Sequence, residues 1–225
     1  MSFLHAVWVV FVKDLKVELR TREIILSTGL FALLVVVLAA FAFGLNTMPG
    51  VDASCGVLWI AVAFSGILAL GRTYMRERDF GVWTALLMTP VPRAALYMGK
   101  MLGLLVFLIV VEIVLIPVIE LFFHAPLLAN IHMLAPILLA GTVGYAAVGA
   151  LFGAMTIRTR MKDLLLGVIL FPLIAPLLIA SVKATEAVLA GHGFSGASDF
   201  IKLILIFDTI FILGGLWLFD VLMED

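Results

Sequence analysis

Between Glu23 and Asp52 the chain carries no charged residue. This run restricts the fold more than any other feature, because about 20 consecutive apolar residues form a helix that crosses the hydrocarbon core of a bilayer. Comparable runs recur to the end of the chain. The composition has the same cause: 64% of the 225 residues are hydrophobic and 13% are charged, against about 25% charged in a soluble domain. A mean hydropathy of +1.27 leaves too little polar surface to face water. The expected fold is an all-α integral membrane protein, a single transmembrane domain over 1–225 with six spans and no separate soluble domain.

The spans are expected at about 24–45, 53–71, 101–123, 133–157, 164–182 and 201–221, separated by charged or Pro/Gly-bearing segments such as Pro49-Gly50 and the loop of Arg158, Arg160, Lys162 and Asp163. Ahead of them, residues 3–22 read as an amphipathic helix lying in the headgroup plane. Phe3, Leu4, Val7, Trp8, Phe11, Val12, Leu15 and Leu19 recur at helical spacing, while Lys13, Asp14, Lys16, Glu18, Arg20 and Arg22 crowd the other side. Without a basic segment before its apolar start, the N-terminus does not read as a cleavable signal. Four Lys/Arg precede span 1, five follow span 2 and three follow span 4, twelve in all against two (Lys183, Lys202) on the alternate side. Basic residues in short loops stay inside, so both termini are expected in the cytoplasm. Gly99/Gly103 and Gly149/Gly153 form two G-x-x-x-G pairs, a spacing that lets helices approach closely in lipid; they read first as internal packing and second as a subunit interface.

Catalytic motifs do not emerge. Gly99-Lys100 lacks the remainder of a phosphate loop, so any ATP chemistry must come from a partner. The lone Cys55 excludes an internal disulfide framework. His5, His124, His132 and His192 form no ligand motif, and no metal site and no catalytic residue are expected. Carboxylates within apolar spans are costly and default to functional candidates; Glu112, Glu120 and Asp208 are the candidates for a transport pathway. Glu112 and Glu120, eight residues apart and about 80° around a helix, could face one cleft.

The segment Arg76–Lys100, cytoplasmic by the charge count, carries the sharpest pattern. Gly81 breaks the chain, Val82–Met88 form a short helix, Thr89-Pro90 stops it, and Arg93 opens a second helix leading into span 3. Over 76–93 this is a hairpin helix beneath the membrane, offering charge and an exposed knob to a partner. Glu77, Gly81, Leu86, Leu87, Thr89, Pro90, Arg93, Gly99 and Lys100 resemble the coupling-helix loop of ABC-2-type permeases, with Asp79 beside them. Thr84 and Ala85 stand where such permeases commonly carry a glutamate, which turns the reading away from a general drug or polysaccharide exporter.

More closely, the chain resembles the CcmB family. The likeness is carried by Lys13–Arg20, by Leu58-Trp59-Ile60-Ala61 with Leu68–Arg72, by Leu87–Pro92, and by the proline-broken Ile169–Leu178 containing Pro172 and Pro176; it extends over essentially the whole chain. The resemblance implies the permease subunit of a bacterial inner-membrane ABC transporter for cytochrome c maturation. It implies a CcmA-type ATPase supplying the ATP site, CcmC-type and CcmD-type membrane subunits, and a CcmE-type haem chaperone released with the help of ATP. Haem is then a candidate substrate rather than a bound cofactor. A homodimer in lipid is expected, since two ATPases need two docking loops; no nucleic-acid partner is expected. The alternatives are an ABC-2 exporter of a lipid-linked glycan or drug, and a scaffold that transmits motion and transports nothing.

Overall fold

The computed structural model describes residues 2–43, 51–89, 91–158 and 168–222. Among the described residues the regular structure is entirely helical: α1 (Phe3–Thr21), α2 (Glu23–Phe43), α3 (Val51–Asp79), α4 (Val82–Leu87), α5 (Arg93–Phe123), α6 (Ile131–Arg158), α7 (Leu170–Leu189) and α8 (Gly193–Leu222). Six of these, all but α1 and α4, are long and apolar enough to cross a membrane. Pro49-Gly50, Arg160, Lys162 and Asp163 lie outside the described residues, as do the last residues of the expected first span and the first residues of the fifth.

The helices outrun the apolar stretches. α3 continues through Arg72 to Asp79, and α8 begins at Gly193, well before the apolar run at 201. A helix does not end where a bilayer does: Arg76 and Arg78 fall in the last turn of α3, where cations complement the exposed carbonyl dipoles.

The core is built from α3, α5, α6 and α7, with Trp59, Tyr97 and Tyr145 fully enclosed. In lipid each buried polar atom needs a partner from the protein, and these aromatics have one. Trp59 Nε1 donates to Thr185 Oγ1 at 3.1 Å, Tyr145 donates to the Ala63 carbonyl at 2.7 Å, and the Tyr97 hydroxyl lies 3.1 Å from the carbonyls of Ala147 and Phe211. Glycines make the room. A Cβ at Gly66 would stand 2.3 Å from the Tyr145 ring, and one at Gly215 would meet Tyr97 at the same distance. Both G-x-x-x-G pairs are used inside the chain: Gly149 and Gly153 receive Leu104 and Tyr74, while Gly99 and Gly103 receive Val10 and Asp14 of α1. Cys55 is buried near the start of α3.

α1 does not lie apart from the bundle. Ala6 and Val7 pack against Ala95 at the start of α5, Val10 lies against Gly99, and Leu4 and Trp8 remain exposed. A left-handed Arg22 (φ 54) separates α1 from α2, and Glu18 Oε1 bridges the break by accepting the Ile25 N–H at 2.9 Å.

Candidate functional site

The charged end of the bundle gathers the residues of the hairpin. α3 stops at Asp79 because Gly81 takes φ +64, a conformation that costs an L-residue about 1–2 kcal/mol. The chain reverses into the six-residue α4, and Thr89 Oγ1 caps it by donating to the Leu86 carbonyl at 2.6 Å. Val91 and Pro92 then lead into α5 at Arg93. Phe80 (78% exposed) and Met88 (81%) stand out at the two corners of this turn. Asp79, Gly81 and Thr89 are exposed, Leu86 is half-buried against the core, and Arg93 is half-buried. Leu87 closes α4, and Pro90 lies outside the described residues.

Glu77 turns inward instead. Buried at 7% exposure, it joins three helices through one four-charge cluster. Its Oε1 accepts from Lys100 Nζ of α5 and, at 2.8 Å, from Lys13 Nζ of α1. Asp14 completes the ring, 2.8 Å from Lys13 and 2.9 Å from Lys100. The Tyr74 ring lies below Lys100, 5.7 Å from its ammonium. Two cations and two carboxylates cancel, which makes burial tolerable, although removing one member of such a set leaves an unpaired charge behind. Burial alone would lower the pKa of Lys13, but Asp14 and Glu77 outweigh it and hold that pKa above its ordinary value. Beside the ring, Arg76 donates to Thr21 Oγ1 at 3.3 Å and stands 3.8 Å from Glu18. The hairpin's root is thus fastened to α1 and α5 by charge, and Phe80 and Met88 stay exposed at its corners.

Sequence reasoning placed Glu77 in the hairpin but did not bring Lys13, Asp14 and Lys100 to it. The three segments are far apart in sequence, and no spacing rule links them. The available signal was Lys100 beside Gly99: a lysine next to a close-packing glycine has to meet whatever packs there.

The three carboxylates within the spans stand in three different environments. Glu112 is buried, and its Oε1 meets Thr142 Oγ1 of α6, a hydroxyl that also lies 2.7 Å from the Leu138 carbonyl. Glu120 faces the α5–α6 loop, where Oε2 accepts the Leu128 N–H at 2.6 Å. Asp208 is buried on α8, its Oδ1 against Gly144 of α6 and without a hydrogen-bond partner. His124, His132 and His192 are exposed, and among the described residues no group of three or more metal-ligating side chains occurs.

Residues 5–213 match the CcmB protein family. The chain belongs to the CcmB family. Its relatives include the heme exporter protein B of Bradyrhizobium diazoefficiens, 29% identical over 82% of this chain and 83% of that protein. The protein of that name from Pseudomonas aeruginosa is 28% identical over 74% of each chain. The one from Paracoccus denitrificans is 27% identical over 80% of this chain and 82% of its own length. Six long apolar helices in a CcmB-family chain make it a multi-pass membrane permease.

Proposed function

We propose that this chain is the permease subunit of a haem-exporting ABC transporter that serves cytochrome c maturation. A CcmA-type ATPase docks on the hairpin around α4 from the cytoplasm, where both termini also lie, and the assembly sits in a bacterial inner membrane. CcmC-type and CcmD-type subunits stand beside a pair of these permeases, and the cycle releases a haem-loaded CcmE-type chaperone. The family relationship and the relatives' shared name support the substrate class. The observation that carries the coupling is the hairpin itself: an apolar tip of Phe80 and Met88 offered to a partner, with the Glu77 root bound to α1 and α5. A push on the tip is then transmitted to two further helices instead of bending a loose loop.

Gly81→Pro demands φ near −65° where the chain needs +64, and Arg93→Glu reverses charge at the start of α5. Both variants should insert and assemble the bundle but lower ATPase copurification or uncouple hydrolysis, and lower holo-cytochrome c yield several-fold. Unchanged copurification, hydrolysis and yield in both would overturn the docking assignment.

A further inference from the structure

A cavity of about 520 Å³ opens under α1, between α2, α3 and α5, at the charged end of the bundle. Its walls are apolar, formed by Leu19, Ile25, Leu70, Val106, Phe107 and Val110. Along α5 it extends from Lys100 to Val110, ten residues or about 15 Å at 1.5 Å per residue. That is half of a hydrocarbon core of about 30 Å, the depth of one leaflet.

The polar rim has a definite hydrogen-bonding demand. Glu77 Oε2 and Glu18 Oε2 are both buried without a hydrogen-bond partner, although Glu18 Oε2 stands 3.8 Å from the Arg76 guanidinium, and both residues line the cavity; the Glu77 side chain is only 8% exposed. Both atoms are acceptors, so the missing group is a donor, and a cationic donor suits carboxylates best. Arg76 stands beside them, and with Arg72, one turn earlier on α3, it lines an adjoining cavity of about 390 Å³ at the same end, which Glu23 and Asp79 also border. A ligand that fits has an ammonium carrying N–H groups, an anionic group a few ångströms from it, and an aliphatic chain about as long as one leaflet is deep.

We propose that this cavity is a specific site for a phospholipid with a primary-ammonium headgroup, a phosphatidylethanolamine. The ammonium donates to Glu77 and Glu18, the phosphate lies toward Arg76 and Arg72, and one acyl chain runs down the α5 wall to Val110. The lipid fills the wedge under α1 and completes the seat that the ion cluster begins. The site does not depend on what the permease carries.

The test is native mass spectrometry of the delipidated full-length protein, titrated with phosphatidylethanolamine and phosphatidylcholine of identical acyl chains. The choline headgroup keeps the positive charge but has no N–H donor. Phosphatidylethanolamine should bind about tenfold more tightly, the scale of one charge-assisted hydrogen bond. Glu18→Gln, which keeps an acceptor for the Ile25 N–H but removes the charge, should reduce that preference. Val106→Trp, which fills the wedge from a half-buried position, should abolish retention of both lipids. Equal affinity for the two lipids in the unmodified protein would overturn the proposal. So would tighter binding of phosphatidylglycerol than of phosphatidylethanolamine, or lipid retention unaffected by Val106→Trp.

Discussion

A lysine buried to 4% exposure near the start of a membrane helix persists because two carboxylates reach its ammonium. Lys100→Met removes one cation from a balanced set of four and leaves Asp14 and Glu77 sharing Lys13 alone. The expected loss is about 3–5 kcal/mol, typical of breaking a buried ion pair from one side. It should be seen as a lower unfolding temperature in detergent and faster tryptic cleavage at Lys16 and Arg20 of α1 and at Arg22 after it. Exchanging the partners, Lys100→Glu with Glu77→Lys, restores the charge balance and should recover much of the loss; no recovery would mean that Lys100 acts through packing alone. Glu112 behaves differently. The Thr142 hydroxyl has one proton and two acceptors in reach, Glu112 Oε1 and the Leu138 carbonyl. All three oxygens are satisfied when the Glu112 side chain supplies a donor of its own, which a glutamine amide also provides. Glu112→Gln should therefore leave subunit assembly and holo-cytochrome c yield near normal. Loss of yield in an assembled complex would instead give this carboxylate a role in transport.

At the scale of elements, the seat of α1 on α5 rests on a glycine. A Cβ at Gly99 would lie 2.7 Å from the Val10 side chain and 3.2 Å from the Val7 carbonyl. Gly99→Ala should lower stability by about 1–3 kcal/mol, the cost of overpacking a tight contact. Val10→Ala in the same chain should return part of it, and thermal unfolding of the two single variants and the double variant reads this coupling directly. An additive result would place α1 elsewhere. The existence of α1 and of the long helices was legible in the sequence, because apolar runs and helical spacing are strong signals. The face that α1 buries was not. The spacing picked out Phe3, Leu4, Val7 and Trp8 as one stripe, yet the contact with α5 uses Ala6, Val7 and Val10 while Leu4 and Trp8 stay exposed. In a bilayer the lipid is as apolar as the protein, so periodicity marks what avoids water without saying which apolar medium receives it; close helix contacts favour small residues. The hairpin was legible for the opposite reason, since its signals, Gly81 and Thr89-Pro90, act through local backbone chemistry that needs no knowledge of neighbours. Even there, the inward turn of Glu77 depends on Lys13 and Lys100, which only the folded bundle brings together.

At the scale of the whole molecule, two helices offer apolar faces that the described bundle leaves uncovered: α2 with Leu26, Leu30, Leu34 and Leu38, and α8 with Ile206, Ile210, Leu213 and Trp217. The proposed homodimer is assigned to one of them. Cys55 is the only cysteine, so on a Cys55→Ser background Leu34→Cys and Ile210→Cys each report a single face. Oxidation in native membranes should give a crosslinked dimer through one of the two positions; monomer from both, at the expression level of the intact transporter, would count against pairing along either face. The ion cluster also has a consequence for how the molecule is made. A ribosome delivers the chain N-terminus first, so α1 is finished long before Gly99 and Lys100 exist to receive it. Until then Lys13 and Asp14 lack the Lys100 side of their seat, and exposed Leu4 and Trp8 give α1 an apolar edge with which to wait at the membrane surface. Closure of this end is therefore a late event in biogenesis: it comes after two membrane crossings, when the root of the third arrives and draws the first-made helix into place.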